Sequence, residues 1–290
     1  MYPVSSFLHQ DLKQAMKDYY QKGCSDPQKQ SNLFIWAWYM PSLASYFVSG
    51  ARTLATRSME GNRRELIAVC QMTSTHDITA NLSSMKEMIQ RAVERKCKMV
   101  FFPECCDFVG RTKEESIGLA TPLSENKFLA DLCAEAKFNK LWLSLGGIHQ
   151  VDSCGGLPKN AHLIINDRGD IESEYHKLHL FDVDIPGKVR LLESEFSSAG
   201  HQLLPPVRTP IGNIGLGICY DVRFPELSLW YRRQGAEILT YPAAFTVTTG
   251  LAHWETLLRA RAIETQSYVI AAAQTGCHND KRTCARSSQK

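Results

Sequence analysis

From residue 66 onward, apolar residues fall into short runs separated by stretches in which they recur every three or four positions. The runs at 66–70, 99–102, 141–145 and 214–218 are four or five residues long and predict buried strands. Between the first two, Ile78, Leu82, Met85, Ile89 and Val93 share one face at helical spacing and predict an amphipathic helix to about residue 98. Residues 127–140 predict a second helix, and the strand after it ends at Gly146-Gly147. The runs 161–166 and 171–175 flank Asp167-Arg-Gly-Asp170, which predicts a hairpin turn. Further strands are predicted at 237–240 and 268–273, with helices at 225–234 and 252–266. No repeat or linker interrupts residues 65–276, so the pattern predicts one layered α/β domain with helices packed on sheets.

Residues 1–64 differ. The first part mixes charges without an apolar period, and no acid occurs between Pro27 and Met59, where Arg52 and Arg57 lie among Ser, Thr and Ala. That composition resembles an organelle transit segment and predicts a poorly structured leader. The apolar stretch 33–48 is shorter than a membrane-spanning helix requires and is interrupted by Pro41, so no membrane span is expected. The net charge of +3 carries no basic run interleaved with aromatics, which argues against a nucleic-acid partner. The ten cysteines show no C-x-x-C pair and no H-E-x-x-H accompanies them, so free thiols in a reducing compartment are expected rather than zinc or disulfides.

Three polar residues stand just past predicted strands, where open α/β sheets present ligand sites. They are Glu104, Lys177 and Cys219. In Gly217-Ile-Cys219-Tyr-Asp, followed by Pro225 and Glu226 at a helix start, the thiol occupies a sharp strand-to-helix bend, the layout of a nucleophile elbow. There the Tyr220 backbone N–H is available to an oxyanion, Glu104 is a base for the thiol, and Lys177 can stabilise negative charge. Each has a plainer alternative: a buried apolar cysteine, a strand-exit acid, a solvated edge lysine. Spacing alone does not bring the three together. His176, His179 and His253 leave a cysteine–histidine hydrolase open. The loop after strand 237–240 ends on the Cys219 side, which places Tyr241, Phe245 and Thr249 as pocket lining, with ordinary loop packing as the alternative.

Phe-Phe-Pro-Glu104, His176-Lys177-Leu-His-Leu-Phe-Asp182 and Gly217-Ile-Cys219-Tyr-Asp-Val-Arg-Phe-Pro-Glu226 resemble the three signature segments of the nitrilase (carbon–nitrogen hydrolase) superfamily. The resemblance runs from about Leu66 to Gln274, includes Leu192-Glu193-Ser194 and His253-Trp-Glu255, and is nearest the Nit branch of amidases. It implies an α-β-β-α sandwich of two mixed sheets flanked by helices. It also implies Glu104 as general base, Lys177 as oxyanion stabiliser, Cys219 as nucleophile, and Glu193 as the second glutamate that orients the lysine and substrate, against a structural ion pair. The implied reaction is amide hydrolysis through a cysteine thioester, with no metal, nucleotide or organic cofactor.

The implied substrate is a small acidic amide, deaminated glutathione cut to 2-oxoglutarate and cysteinylglycine. The alternatives are an ω-amidase acting on α-ketoglutaramate and a catalytically weak scaffold or signalling protein. An acidic substrate calls for cations, but Glu255–Arg259 has the spacing of a helix-surface pair, so structural roles are expected for Arg259 and Arg261. A homodimer or larger assembly is likewise implied, while the free thiols and the transit-like leader give a cytoplasmic or mitochondrial location as the expectation. After Ala273-Gln274-Thr275-Gly276 the pattern departs from the family, which continues into further strands. Residues 277–290 read as a polar, Lys/Arg-rich tail, so the last strands of the sandwich are expected to be missing.

Overall fold

The computed structural model of the chain describes residues 32–37, 65–187, 189–280 and 282–284. The chain order begins β1 (Asn32–Ala37), β2 (Leu66–Met72), α1 (Ile78–Glu94), β3 (Met99–Phe102), α2 (Lys113–Leu119) and α3 (Lys127–Asn139). It continues with β4 (Trp142–Gln150), β5 (Lys159–Ile165), β6 (Ile171–His176) and a hairpin of β7 (Asp182–Ile185) and β8 (Val189–Leu192). Next come β9 (Val207–Thr209), β10 (Gly212–Leu216), α4 (Pro225–Arg233), β11 (Ile238–Thr240) and α5 (Val247–Thr265). Last are β12 (Tyr268–Ile270), β13 (Ala273–Gln274), β14 (Gly276–Asn279) and β15 (Arg282–Cys284).

The first sheet has the order β1-β2-β3-β4-β5-β6, with β13 also paired to β2. Its centre, β2-β3-β4, is parallel, and β4-β5-β6 form an antiparallel meander. The second sheet has the order β12-β11-β10-β9, parallel except for β9. Alternating side chains of the first sheet go to different layers. Ala68, Cys70, Val100, Phe102, Leu143, Leu145, Leu163 and Ile165 pack with Met85, Met88 and Ile89 of α1 and Phe128 and Leu132 of α3. Ile67, Met99, Phe101 and Ile164 face the other way, into a cluster with Ile214, Leu216 and Ile238 of the second sheet and Leu227 and Tyr231 of α4. A sheet covered on both faces needs apolar residues at consecutive positions, which is why its strands read as uninterrupted apolar runs. The architecture is the sandwich of two mixed sheets between helices that the resemblance implies.

Helix starts follow side-chain capping. Asp77 accepts from the Ala80 N–H at 2.9 Å and Asn126 from the Leu129 N–H at 2.9 Å. α5 begins at Val247, ahead of the expected 252, with a first turn of weak helix formers closed by the Gly250 N–H on the Thr246 carbonyl at 2.8 Å. The single strand expected at 268–273 is two strands: β12 belongs to the second sheet and β13 to the first, so the chain changes sheets at Ala271-Ala272.

Where a polar tail was expected from residue 277, β14 and β15 form a hairpin. His278 and Cys284 are buried in it, and the His278 Nδ1 hydrogen-bonds the Ser74 carbonyl at 2.7 Å. Its buried positions are a glycine, a histidine and a single cysteine, too few apolar residues to give a hydropathy signal. The expectation of a leader over 1–64 lies outside the described residues except at 32–37, where β1 pairs antiparallel with β2. Among the described residues no helix is long and apolar enough to cross a membrane.

Candidate active site

The stretch around Cys219 folds as an elbow. β10 ends at Leu216, a tight 3-10 turn spans Cys219–Arg223, and α4 follows with Pro225 in its first turn. Cys219 has φ of 46°, in the left-handed region that costs a side-chain-bearing residue strain. The strain is held by the Cys219 N–H bond to the Pro242 carbonyl (2.8 Å) and the Gly217 N–H bond to the Thr240 carbonyl (3.0 Å). A Cβ at Gly217 would lie 2.7 Å from the Tyr241 ring and 3.3 Å from the Thr240 carbonyl, so only glycine fits. Tyr220 is the second residue of the turn, and its N–H is among the first-turn donors that a helix leaves without an internal acceptor.

Glu104 lies just past β3, and Lys177 just past β6. Both are buried, and Lys177 Nζ donates to Glu104 Oε1 at 2.9 Å. On its other side the ammonium meets both oxygens of Glu193, at 3.0 and 2.9 Å. Glu104 is fixed by two further donors, Asn160 Nδ2 to Oε1 at 2.9 Å and the Ala244 N–H to Oε2 at 2.8 Å. Glu193 is fixed by the Phe181 N–H at 2.7 Å, so the β7–β8 hairpin closes onto the lysine. The Cys219 thiol is the third group at this point, in electrostatic contact with both Glu104 and Lys177.

Charge placement sets the resting protonation. Burial pushes the Lys177 ammonium down, but Glu104 and Glu193 outweigh it and hold its pKa well above the usual value. Burial pushes the Glu104 carboxyl up, and Lys177 more than reverses that, leaving it below the ordinary range. Burial, followed by the Glu104 charge, pushes the Cys219 thiol well up against the opposing pull of Lys177. The stable arrangement is therefore ammonium, carboxylate and neutral thiol.

Asp221, fully buried, ties the elbow to β6. Its Oδ2 accepts the Tyr175 hydroxyl at 2.8 Å and the Ile218 N–H at 2.9 Å, while Oδ1 meets His179 Nδ1 at 2.7 Å. The His162 imidazole bridges the two sheets between Ser144 Oγ (2.8 Å) and the Gly217 carbonyl (3.1 Å). Gln274 Nε2 donates to the Glu104 carbonyl at 2.9 Å and the Cys105 carbonyl at 3.2 Å. Sequence patterning left Asn160, Asp221, His162 and Gln274 unassigned, because polar residues on strands give no spacing signal for what they meet across the fold.

The histidines do not form a cysteine–histidine pair with Cys219. His179 is spent on Asp221 and stacks on Phe224 with ring centroids 3.6 Å apart, His176 pairs with Glu174 at 2.9 Å, and exposed His253 meets Arg223 at 3.2 Å. Tyr241 is not at the pocket surface: it is buried under the elbow with its hydroxyl 2.7 Å from Ser228 Oγ of α4. The strand ending there points Tyr241 inward and leaves the loop beyond it nearer the site. Phe245 lies in that loop, packed edge-on against Trp254 with the Arg223 guanidinium 5.6 Å from its ring centre. The Thr249 hydroxyl turns back to Thr246 Oγ1 at 2.9 Å. Arg261 donates to the Val222 carbonyl at 2.8 Å and pairs with Glu264, and Arg259 pairs with Glu255 at 2.7 Å, so both arginines hold structure.

Fold and site together define a cysteine-containing α-β-β-α sandwich, and residues 66–288 match the carbon–nitrogen hydrolase family, to which the chain belongs. It is 58% identical over 232 residues to the nitrilase and fragile histidine triad fusion protein NitFhit of Caenorhabditis elegans, a match covering 80% of this chain and 51% of that protein. It is 48% identical over 234 residues to the deaminated glutathione amidase of Bos taurus, covering 80% of this chain and 71% of that one. The crystal structure of C. elegans NitFhit superposes with a TM-score of 0.72 at 59% identity, over 75% of this chain and 53% of that one. The chain spans about half the length of the NitFhit relatives it matches.

Proposed function

We propose that this chain hydrolyses a small-molecule amide through a thioester on Cys219. The observation that carries the proposal is the buried contact of 2.9 Å between Lys177 Nζ and Glu104 Oε1 beside the elbow thiol. With the thiol neutral at rest, proton loss is coupled to attack: Glu104 takes the proton as Sγ bonds to the amide carbon. The oxyanion that forms is stabilised by Lys177 and the Tyr220 N–H. The carbon–nitrogen bond then breaks, and Glu104 returns its proton to the departing amine. A water that gives its proton to Glu104 attacks the thioester and releases the acid, and the thiol is restored. Glu193 keeps Lys177 charged and aimed throughout.

The similarity to deaminated glutathione amidases supports deaminated glutathione as substrate, with 2-oxoglutarate and cysteinylglycine as products. Assembly as a homodimer or larger belongs to the same proposal and is read by light scattering. The activity test incubates the protein with deaminated glutathione and, separately, with α-ketoglutaramate, and measures 2-oxoglutarate. Turnover of the first with none by Cys219→Ala is the expected result. Turnover of α-ketoglutaramate alone moves the assignment to an ω-amidase, and turnover of neither overturns it.

A further inference from the structure

The β14–β15 hairpin brings a cation to the site. β15 bridges to Thr246, next to the Phe245 loop, through Cys284. Residues two apart on a strand share a face. Cys284 is buried, and Arg282, half-buried, shares its face of the strand. Its guanidinium is in electrostatic contact with Cys105 and Cys284 first, and then with Glu104 and Cys219. Asn279, across the hairpin, takes the Arg282 backbone N–H on Oδ1 at 2.9 Å, which fixes the turn that presents the side chain.

Among the described residues Glu104 already serves Lys177, Asn160 and the Ala244 N–H, and no carboxylate forms an ion pair with Arg282. The guanidinium therefore lies within electrostatic reach of Cys219, hydrogen-bonds the Cys284 thiol, and leaves its planar fork uncommitted to any carboxylate. A fork of that kind matches a carboxylate in bidentate geometry, and a desolvated site strengthens the bond. Summed over Lys177, Arg282, Glu104 and Glu193, the charges cancel, so a carboxylate of the substrate enters without meeting a net negative site.

We infer that Arg282 is a specificity-determining residue that anchors a carboxylate of the amide substrate beside Cys219. This rests on the amidase reading above for the reaction, but not for the binding. The test measures protection of the Cys219 thiol against iodoacetamide by glutarate, a dicarboxylate that needs no turnover, in the wild-type chain, Arg282→Gln and Arg282→Lys. In parallel, kcat/KM is measured for glutaramate and for pentanamide, which has the same chain length without the carboxylate.

The expected result is a loss of glutarate affinity of about 10- to 100-fold in R282Q, the range of a charge-assisted hydrogen-bond pair. R282K falls between, since it keeps charge but not the fork. The preference for glutaramate over pentanamide shrinks in R282Q through KM rather than kcat. Equal protection in wild type and R282Q, with matching thermal melts, overturns the inference, as does wild type that glutarate fails to protect. Protection that depends on Arg282 in a chain that hydrolyses neither deaminated glutathione nor α-ketoglutaramate leaves the anchor standing and removes the amidase reading.

Discussion

His162 donates from Nδ1 to the Gly217 carbonyl at 3.1 Å, two residues before the elbow cysteine, and so ties the first sheet to the strand that carries the thiol. Its other nitrogen accepts from Ser144, which fixes the neutral tautomer. Burial pushes the imidazole down to about 4. A histidine lowered in the folded state takes up its proton first in the unfolded chain. Its stabilising effect is complete above about pH 6.5, declines as pH falls, and is gone below about 4. His278, also pushed down to about 4 by burial, acts in the same direction, while His149, raised by Asp107 against its own burial, acts in the opposite one. The His162 share is therefore a difference: Tm measured from pH 7 to pH 5 falls less steeply in His162→Asn than in wild type, by several degrees. Parallel curves for the two proteins would remove His162 from the account.

Lys177 and His179 separate the two hydrolase chemistries. Lys177→Met leaves Glu104 and Glu193 facing each other without a cation, which costs about 3–5 kcal/mol of stability and abolishes the acyl-enzyme adduct seen by mass spectrometry. His179→Ala removes a bond to buried Asp221 and lowers Tm, but the adduct still forms. Equal, mild effects of both changes would return the histidine to the chemistry.

The thiol itself is testable without substrate. Because burial and Glu104 raise the Cys219 pKa, its alkylation by iodoacetamide is slow at neutral pH and keeps rising as pH passes 9. A rate that has levelled off by pH 8 would mean a preformed thiolate and a different first step.

Tyr241 and Phe245 divide core from pocket. Tyr241→Phe loses only the hydrogen bond to Ser228, about 1 kcal/mol of stability with KM unchanged. Phe245→Ala, in the loop beside Arg223, raises KM. If Tyr241→Phe changed KM while leaving the melt untouched, the hydroxyl would have to face substrate.

How much was legible depended on whether a residue's partner lies along the chain or across it. The runs at β2, β3, β4 and β10 were plain because both faces are apolar, and the elbow was plain because glycine, cysteine and proline must sit in a fixed order there. Glu104, Lys177 and Cys219 each follow a legible strand, but their meeting depends on how the sheets stack. The β7–β8 hairpin left no burial signature, because β7 alternates acids with apolar residues on a mostly exposed strand, although the hairpin delivers Glu193. Tyr241 was misplaced because the end of a strand does not say which way its last side chains point. The β14–β15 hairpin went unseen because only His278, Cys284 and Gly276 are buried in it, which makes no apolar run.

Gln274 fastens the carbonyls of Glu104 and Cys105 from 170 and 169 positions downstream. A ribosome delivers the glutamate, the lysine and the cysteine well before that clasp emerges. During synthesis the growing polypeptide carries its reactive groups unassembled until residue 274 has been made and can close over them.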